Sequence, residues 1–242
     1  TMQRNMQPAE KQDRGSGLNL AVNSIFYTIQ GEGPFTGSPA VFVRLAGCNL
    51  QCPMCDTEYT SRQQMGWPMI LKKVCDEFRL PEDSRSFARG RGPLVVISGG
   101  EPFRQNLQPL ITNLLNRGFK VQIETNGTLF QELPFAHAHL TIVCSPKAGA
   151  INKKLAPYIG ALKYVATAES IAEDGLPTHA LEHPNGGMLA RPPEGFKGTI
   201  YLQPVDEQNI PKNLRNQAAV VKSCLDHGYR LCLQVHKIIG VE

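Results

Sequence analysis

At 242 residues and 41% hydrophobic content, the chain is long enough to bury one sizeable core, and a single α/β domain accounts for it without a second. The formal net charge of +4 and pI near 8.7 are only mildly basic. No run of about five like charges occurs, so nucleic acid is not an expected partner. No stretch approaches the roughly 18 uninterrupted apolar residues of a membrane helix, and the opening TMQRNMQPAEKQDRGSG lacks the apolar centre of a secretory signal. A cytoplasmic location with no membrane partner is expected.

Residues 1–19 are polar and without apolar periodicity, which predicts a disordered tail ahead of one domain over 20–242. From there apolar, β-branched runs recur at 40–46, 94–98, 119–124, 140–144, 161–166, 199–203 and 230–235. Their near-continuous hydrophobicity suits parallel strands covered by helices. Segments 67–78, 106–117 and 213–227 carry apolar residues three and four apart, as amphipathic helices do. Alternation of the two predicts an α/β fold with a parallel sheet, open or curled into a partial barrel, and an active site at the carboxyl ends of the strands. Two segments break the rhythm: 80–93, rich in Arg, Gly and Pro, and 173–198, rich in Gly and Pro, both expected to be surface loops.

Seven cysteines are present, and three of them, Cys48, Cys52 and Cys55, follow the apolar run AVFVRLAG. The others, Cys75, Cys144, Cys224 and Cys232, are scattered among apolar residues, a pattern of one metal site plus buried thiols rather than a disulfide framework. Three thiolates at C-x3-C-x2-C spacing can wrap a compact cluster, and the lack of a fourth nearby cysteine leaves one iron open, because closed iron–sulfur and structural zinc sites use four protein ligands. On spacing alone, a zinc knot completed by His236 or Cys75 remains an alternative.

The cysteine triplet followed by SGGEP at 98–102 resembles the radical S-adenosylmethionine superfamily. Further motifs narrow the likeness: TIQGEG at 28–33, TGSPAVFVRLAGCNLQCPMCDT at 36–57, ETNG at 124–127, SPK at 145–147, YLQP at 201–204 and QVHKIIG at 234–240. Together they resemble the 7-carboxy-7-deazaguanine synthase family. That resemblance implies a modified partial (β/α) barrel of mostly parallel strands, a [4Fe–4S] cluster, S-adenosylmethionine, Mg²⁺, a reductant such as flavodoxin or ferredoxin, and a homodimer. The implied reaction is radical-mediated ring contraction of 6-carboxy-5,6,7,8-tetrahydropterin to 7-carboxy-7-deazaguanine with release of ammonia. The cofactor supplies the radical, so no side chain is expected to be the hydrogen abstractor.

The resemblance also distributes roles. Ile29, Gln30 and Gly31 are expected at the pterin, where a Gly-rich hairpin is the structural alternative. Arg44 is the only charge in its apolar run and needs a partner, either the substrate carboxylate or, structurally, Glu32 or Glu101. Thr57 is implied to ligate Mg²⁺, although a Thr after Asp also serves turns and helix caps. Met54, Asp56, Gly100, Glu124, Ser145, Pro146 and Lys147 are expected at the cofactor, with Gln203, Pro204, Val205 and Asp206. Ser98, His236 and Glu242 are expected near the substrate, Glu242 through the carboxyl terminus. Glycines at 99 and 100 are expected to let backbone approach a ligand closely. Two other functions share parts of this pattern: a glycyl-radical-enzyme activase, and a zinc-stabilised binding domain.

Overall fold

The computed structural model describes residues 4–80, 92–183 and 188–241. Strand β1 (Asn19–Ile29) pairs antiparallel with β2 (Pro39–Leu45) on one side and β3 (Gln63–Gly66) on the other. Helix α1 (Trp67–Glu77) follows, burying Ile70, Leu71 and Val74. Strand β4 (Leu94–Gly99) returns parallel to β2, and α2 (Gln108–Asn116) buries Leu110, Ile111, Leu114 and Leu115, the three- and four-residue spacing of an amphipathic face. Strands β5 (Lys120–Thr125), β6 (Leu140–Cys144), β7 (Ile159–Ala166) and β8 (Thr199–Pro204) then add in sequence, each parallel to the last.

Helix α3 (Ile210–His227) is capped by the Asn209 side chain, which accepts from the Lys212 amide, and is ended by Gly228 in the left-handed region. The chain closes with β9 (Arg230–Leu231) and the short helix α4 (Val235–Ile239). The sheet order is β3-β1-β2-β4-β5-β6-β7-β8-β9. One apolar cluster runs from Leu20 on β1 to Cys224 on α3. Although the order is linear, Glu32 just past β1 forms an ion pair with Lys163 on β7, so the sheet curls until its two flanks meet. That is the curved, mostly parallel α/β architecture expected. Among the described residues no helix is long and apolar enough to cross a membrane.

Four features depart from the sequence expectations. Strand β1 had no predicted counterpart because its burial is mixed, with a half-exposed middle. The run at 230–235 gives only a two-residue strand whose residues are exposed, after which the chain turns into α4. The tail expected to be disordered is, from residue 4 on, laid against the cysteine loop, with Asn5 buried and Ala9 bridging to Cys48. Polar side chains hold it there, which is why hydrophobic periodicity does not reveal it. Finally, the described part of 173–198 lacks helix and strand, yet it sends Leu176, Ala180 and Leu189 into the core and its Ala190 carbonyl to the buried Tyr164 hydroxyl at 2.9 Å. It covers the sheet between β7 and β8 in place of a helix. Residues 184–187 of this segment, and 81–91 of the other expected loop, lie outside the described residues.

The junction of β2 and β4 leaves no room for side chains. Gly99 has φ +138, and a Cβ there would lie 2.0 Å from the Leu45 carbonyl oxygen. Gly99→Ala is expected to cost about 3 kcal/mol or more, read as a lower urea midpoint for anaerobically prepared protein.

Candidate active site

The loop carrying the cysteines leaves β2 through Gly47, in the left-handed region at φ +81, where a side chain would strike Arg104. The SGGEP turn then locks this exit. The Gly100 amide donates to the Leu45 carbonyl at 3.1 Å, and that of Glu101 to the Gly47 carbonyl at 2.9 Å. A Cβ on Gly100 would sit 2.2 Å from the Gly47 oxygen and 2.9 Å from the Cys48 Cβ. The glycines do permit a close approach, but its object is the cysteine loop as much as any ligand. Glu101 is fully buried and accepts from the amides of Phe103 and Asn126 and the hydroxyl of Thr125 at 2.7–2.9 Å. Burial outweighs these donors and pushes its carboxyl up to about 7.

Cys48, Cys52 and Cys55 all open onto one cavity of about 540 Å³ at the carboxyl ends of the strands. All three are free thiols. Burial pushes Cys48 up to about 12 and Cys52 up to about 11, and raises Cys55, so the thiolates need a bound cation to form. Among the described residues no three His, Cys, Asp or Glu side chains gather around a single ion. Thiolates that each bind a separate iron need not crowd one point, and the all-sulfur set of three fits an iron–sulfur cluster with one iron free of protein ligands.

The cavity wall brings together nearly every residue singled out from the sequence. Met54, Asp56 and Thr57 line it beside the cysteines, with Gly100 next to them. Ser145 and Lys147 line it from the end of β6, and Gln203, Pro204, Val205 and Asp206 from the end of β8. On the other side stand Ile29, Gln30, Arg44, Ser98 and His236. Among the described residues, two of those expected do not line it. Gly31 lies behind His236, whose ring nitrogen Nδ1 would be 2.1 Å from a Cβ at that position. Pro146 is not on the wall, and Glu242 lies outside the described residues.

A family description, "4Fe-4S single cluster domain", matches residues 29–144. The chain is 46% identical to the 7-carboxy-7-deazaguanine synthase of Rhodospirillum rubrum, over 97% of both chains. It is 40% identical to that of Rickettsia prowazekii, over 94% of this chain and 91% of the relative. This chain belongs to the 7-carboxy-7-deazaguanine synthase family. Its fold resembles the crystal structure of QueE from Escherichia coli, with a TM-score of 0.63 at 21% identity over 92% of this chain and 99% of that one. As a member of the 7-carboxy-7-deazaguanine synthase family it is a radical S-adenosylmethionine enzyme with a [4Fe–4S] cluster, rather than a zinc-stabilised binding domain.

Within this synthase-family cavity, Glu124 is a hub. It accepts from Gln30 Nε2 at 3.1 Å, Gln122 Nε2 at 2.9 Å and Ser98 Oγ at 3.4 Å, joining residues expected at the substrate to one expected at the cofactor. The Arg44 guanidinium lies 5.1 Å from the centre of the Phe26 ring, so its planar cation is held in the cavity wall. Glu32 pairs with Lys163, and Glu101 accepts from the amides of Phe103 and Asn126.

Sequence reading did not nominate Lys163. It is the single charge in the buried run IGALKYVA, the same signal that singled out Arg44. Its ammonium forms a buried ion pair with Glu32, whose other oxygen accepts from Gln234 Nε2 at 3.0 Å and Gln203 Nε2 at 3.4 Å. Burial alone would raise the Glu32 carboxyl, but the Lys163 charge and hydrogen bond hold it down at about 2. Burial alone would lower Lys163, and the facing carboxylates Glu32 and Glu124 raise it instead. Both groups are charged.

At the mouth, Lys237 on α4 bridges Asp56 at 3.3 Å and Asp206 at 3.2 Å, tying the cysteine loop to the end of β8. On the cofactor side the half-buried Lys147 ammonium donates to Ser145 Oγ at 2.5 Å and to the Ser145 carbonyl at 3.1 Å.

Lys163→Met strands the Glu32 charge and is expected to cost roughly 3–5 kcal/mol at neutral pH. Because the folded-state carboxyl is depressed, the pair's contribution is present above the ordinary value of 4.5 and is lost as pH falls towards 2. The deficit of the variant, measured by denaturant unfolding across this range, should therefore shrink on acidification.

Proposed function

We propose that this chain converts 6-carboxy-5,6,7,8-tetrahydropterin to 7-carboxy-7-deazaguanine with release of ammonia, using the cavity at the carboxyl ends of its strands. The observation that carries this reading is the single cavity with three free cysteines at one end and Arg44, Gln30, Ser98 and His236 at the other. When bound, the cluster and S-adenosylmethionine supply one-electron cleavage of the sulfonium and hydrogen abstraction from the pterin.

The chain's own residues then bind, orient and exclude water. Cys48, Cys52 and Cys55 hold the cluster. Met54, Asp56 and Gly100 border the cofactor, with Ser145 and Lys147 and the segment Gln203, Pro204, Val205 and Asp206 completing its wall. Arg44, half-buried and preset against Phe26, offers its guanidinium to the pterin carboxylate. Gln30, fixed by Glu124, presents its amide to the polar pterin edge beside Ile29, while Gly31 makes room for the His236 ring. Ser98 and His236 close the opposite side. Thr57, half-buried in the cavity wall with its Oγ1 3.5 Å from Asp56 Oδ1, supplies a hydroxyl to Mg²⁺, a hard ion that takes oxygen ligands from few protein groups.

In this reading the enzyme works in the cytoplasm as a homodimer and draws its electron from a flavodoxin- or ferredoxin-type reductant. The test is anaerobic turnover of reconstituted protein with S-adenosylmethionine, Mg²⁺, reductant and 6-carboxytetrahydropterin, followed by mass spectrometry. Formation of 7-carboxy-7-deazaguanine supports the proposal. Accumulation of 5′-deoxyadenosine without that product removes the pterin assignment.

Two variants separate the roles. Arg44→Ala is expected to act mainly on the substrate KM, lowering kcat/KM by ~2 kcal/mol for the lost charge-assisted contact. An unchanged KM would return Arg44 to packing. Thr57→Ala should weaken the Mg²⁺ dependence and turnover while leaving the iron content intact; loss of iron would contradict the assignment.

A further inference from the structure

The loop 48–57 carries the three cysteines with neither helix nor strand and few bonds of its own. Between its own backbone groups it has a hydrogen bond from the Cys55 amide to the Cys52 carbonyl at 3.1 Å. Its remaining carbonyls must find donors elsewhere. Residues 4–13 donate to four of the loop's carbonyls, those of Cys48, Cys52, Pro53 and Thr57, and none of these donor residues lines the cavity.

The Glu10 amide donates to the Cys48 carbonyl at 2.6 Å and the Asn5 amide to the Pro53 carbonyl at 2.8 Å. Asn5 Nδ2 donates to the Cys52 carbonyl at 3.1 Å, and Gln7 Nε2 to the Thr57 carbonyl at 2.9 Å. Gln7 Oε1 accepts the Tyr59 amide at 2.7 Å, so one side chain clamps both ends of the loop's exit. Asn5, 9% exposed, also donates to the hydroxyl of Tyr59, itself 1% exposed.

The strap is anchored independently of the loop. The Glu10 carboxylate is paired with Arg62 and Arg104, the Asp13 amide donates to the Arg104 carbonyl at 2.6 Å, and Gln12 Nε2 reaches the Phe103 and Phe130 carbonyls, both at 3.0 Å. Arg104 and Phe103 belong to the turn that follows the glycine pair. The strap therefore references the loop to the rigid end of β4.

We propose that Asn5 and Gln7 are positioning residues of the cluster site. By drawing the Cys52 and Thr57 carbonyls outward, they turn the thiolates of Cys52 and Cys55 and the Thr57 hydroxyl into the cavity. They also keep carbonyl oxygens from facing the anionic cluster, where they would disfavour its reduction. The inference rests on the assignment of the three cysteines to the cluster.

The test uses the full-length holoprotein with Asn5→Asp and Gln7→Glu. Each keeps size but replaces an N–H donor with an acceptor, and Gln7→Glu retains the acceptor for Tyr59. Gln12→Glu is the control, since it disturbs the strap's anchor without touching the loop. The readouts are the electron paramagnetic resonance spectrum of the reduced cluster with and without S-adenosylmethionine, its reduction potential, and iron release to a chelator.

Asn5→Asp and Gln7→Glu are expected to shift the spectrum, lower the potential and speed iron release roughly tenfold, as loss of a polar contact to a buried group allows. Gln12→Glu should leave all three near wild type. Wild-type behaviour of both variants overturns the proposal. So does an equal effect of Gln12→Glu, or failure of both variants to fold, either of which reduces the strap to general stability. Wild-type protein that takes up no cluster would overturn the underlying assignment, and the inference with it.

Discussion

The buried pair of Glu32 and Lys163 is the contact on which the shape of the cavity depends. Glu32 leaves the antiparallel flank of the sheet and Lys163 projects from β7, several strands away in the sheet order, so their attraction holds the curl. Two charges taken out of water are costly unless each is matched and hydrogen-bonded. Here the match is completed by the Gln203 and Gln234 amides. The same residues line the cavity, and the interaction that bends the sheet therefore also fixes the polarity of the space it encloses.

Around that frame the site separates two demands. The cysteine end needs backbone placed without side chains, met by Gly47, Gly99 and Gly100. The opposite end needs side chains held in one orientation, met by the Glu124 hub with Gln30 and Ser98, and by Arg44 against Phe26. Rigid strands carry both sets, which suits chemistry that must keep a reactive species from water and from the protein itself.

Most of this was legible in the sequence because buried parallel strands write long apolar runs, and polar residues at their ends fall on one rim. Thus β4 to β8 and the helices α1 to α3 stand close to their expected bounds, and the residues ending those strands do meet in one cavity. Strand β1 escaped because an antiparallel strand with mixed burial has no continuous run. The strap at 4–13 escaped for a related reason: it is held by amides and carboxylates, which read as solvated tail unless their partners are known. Lys163 obeyed a rule already applied to Arg44 and was readable, whereas the contact of Gly31 with His236 joins distant parts of the chain that no local pattern connects.

That contact has a temporal side. Helix α4 contributes His236 and Lys237 to the cavity and is seated at its first residue on Gly31, whose carbonyl accepts from the Val235 amide at 3.1 Å. During synthesis the cysteine loop emerges well before this helix. A nascent chain can therefore present its three cysteines before its substrate pocket has a wall, so that the place for the cluster and the enclosure around the substrate arise at different moments in the life of each molecule.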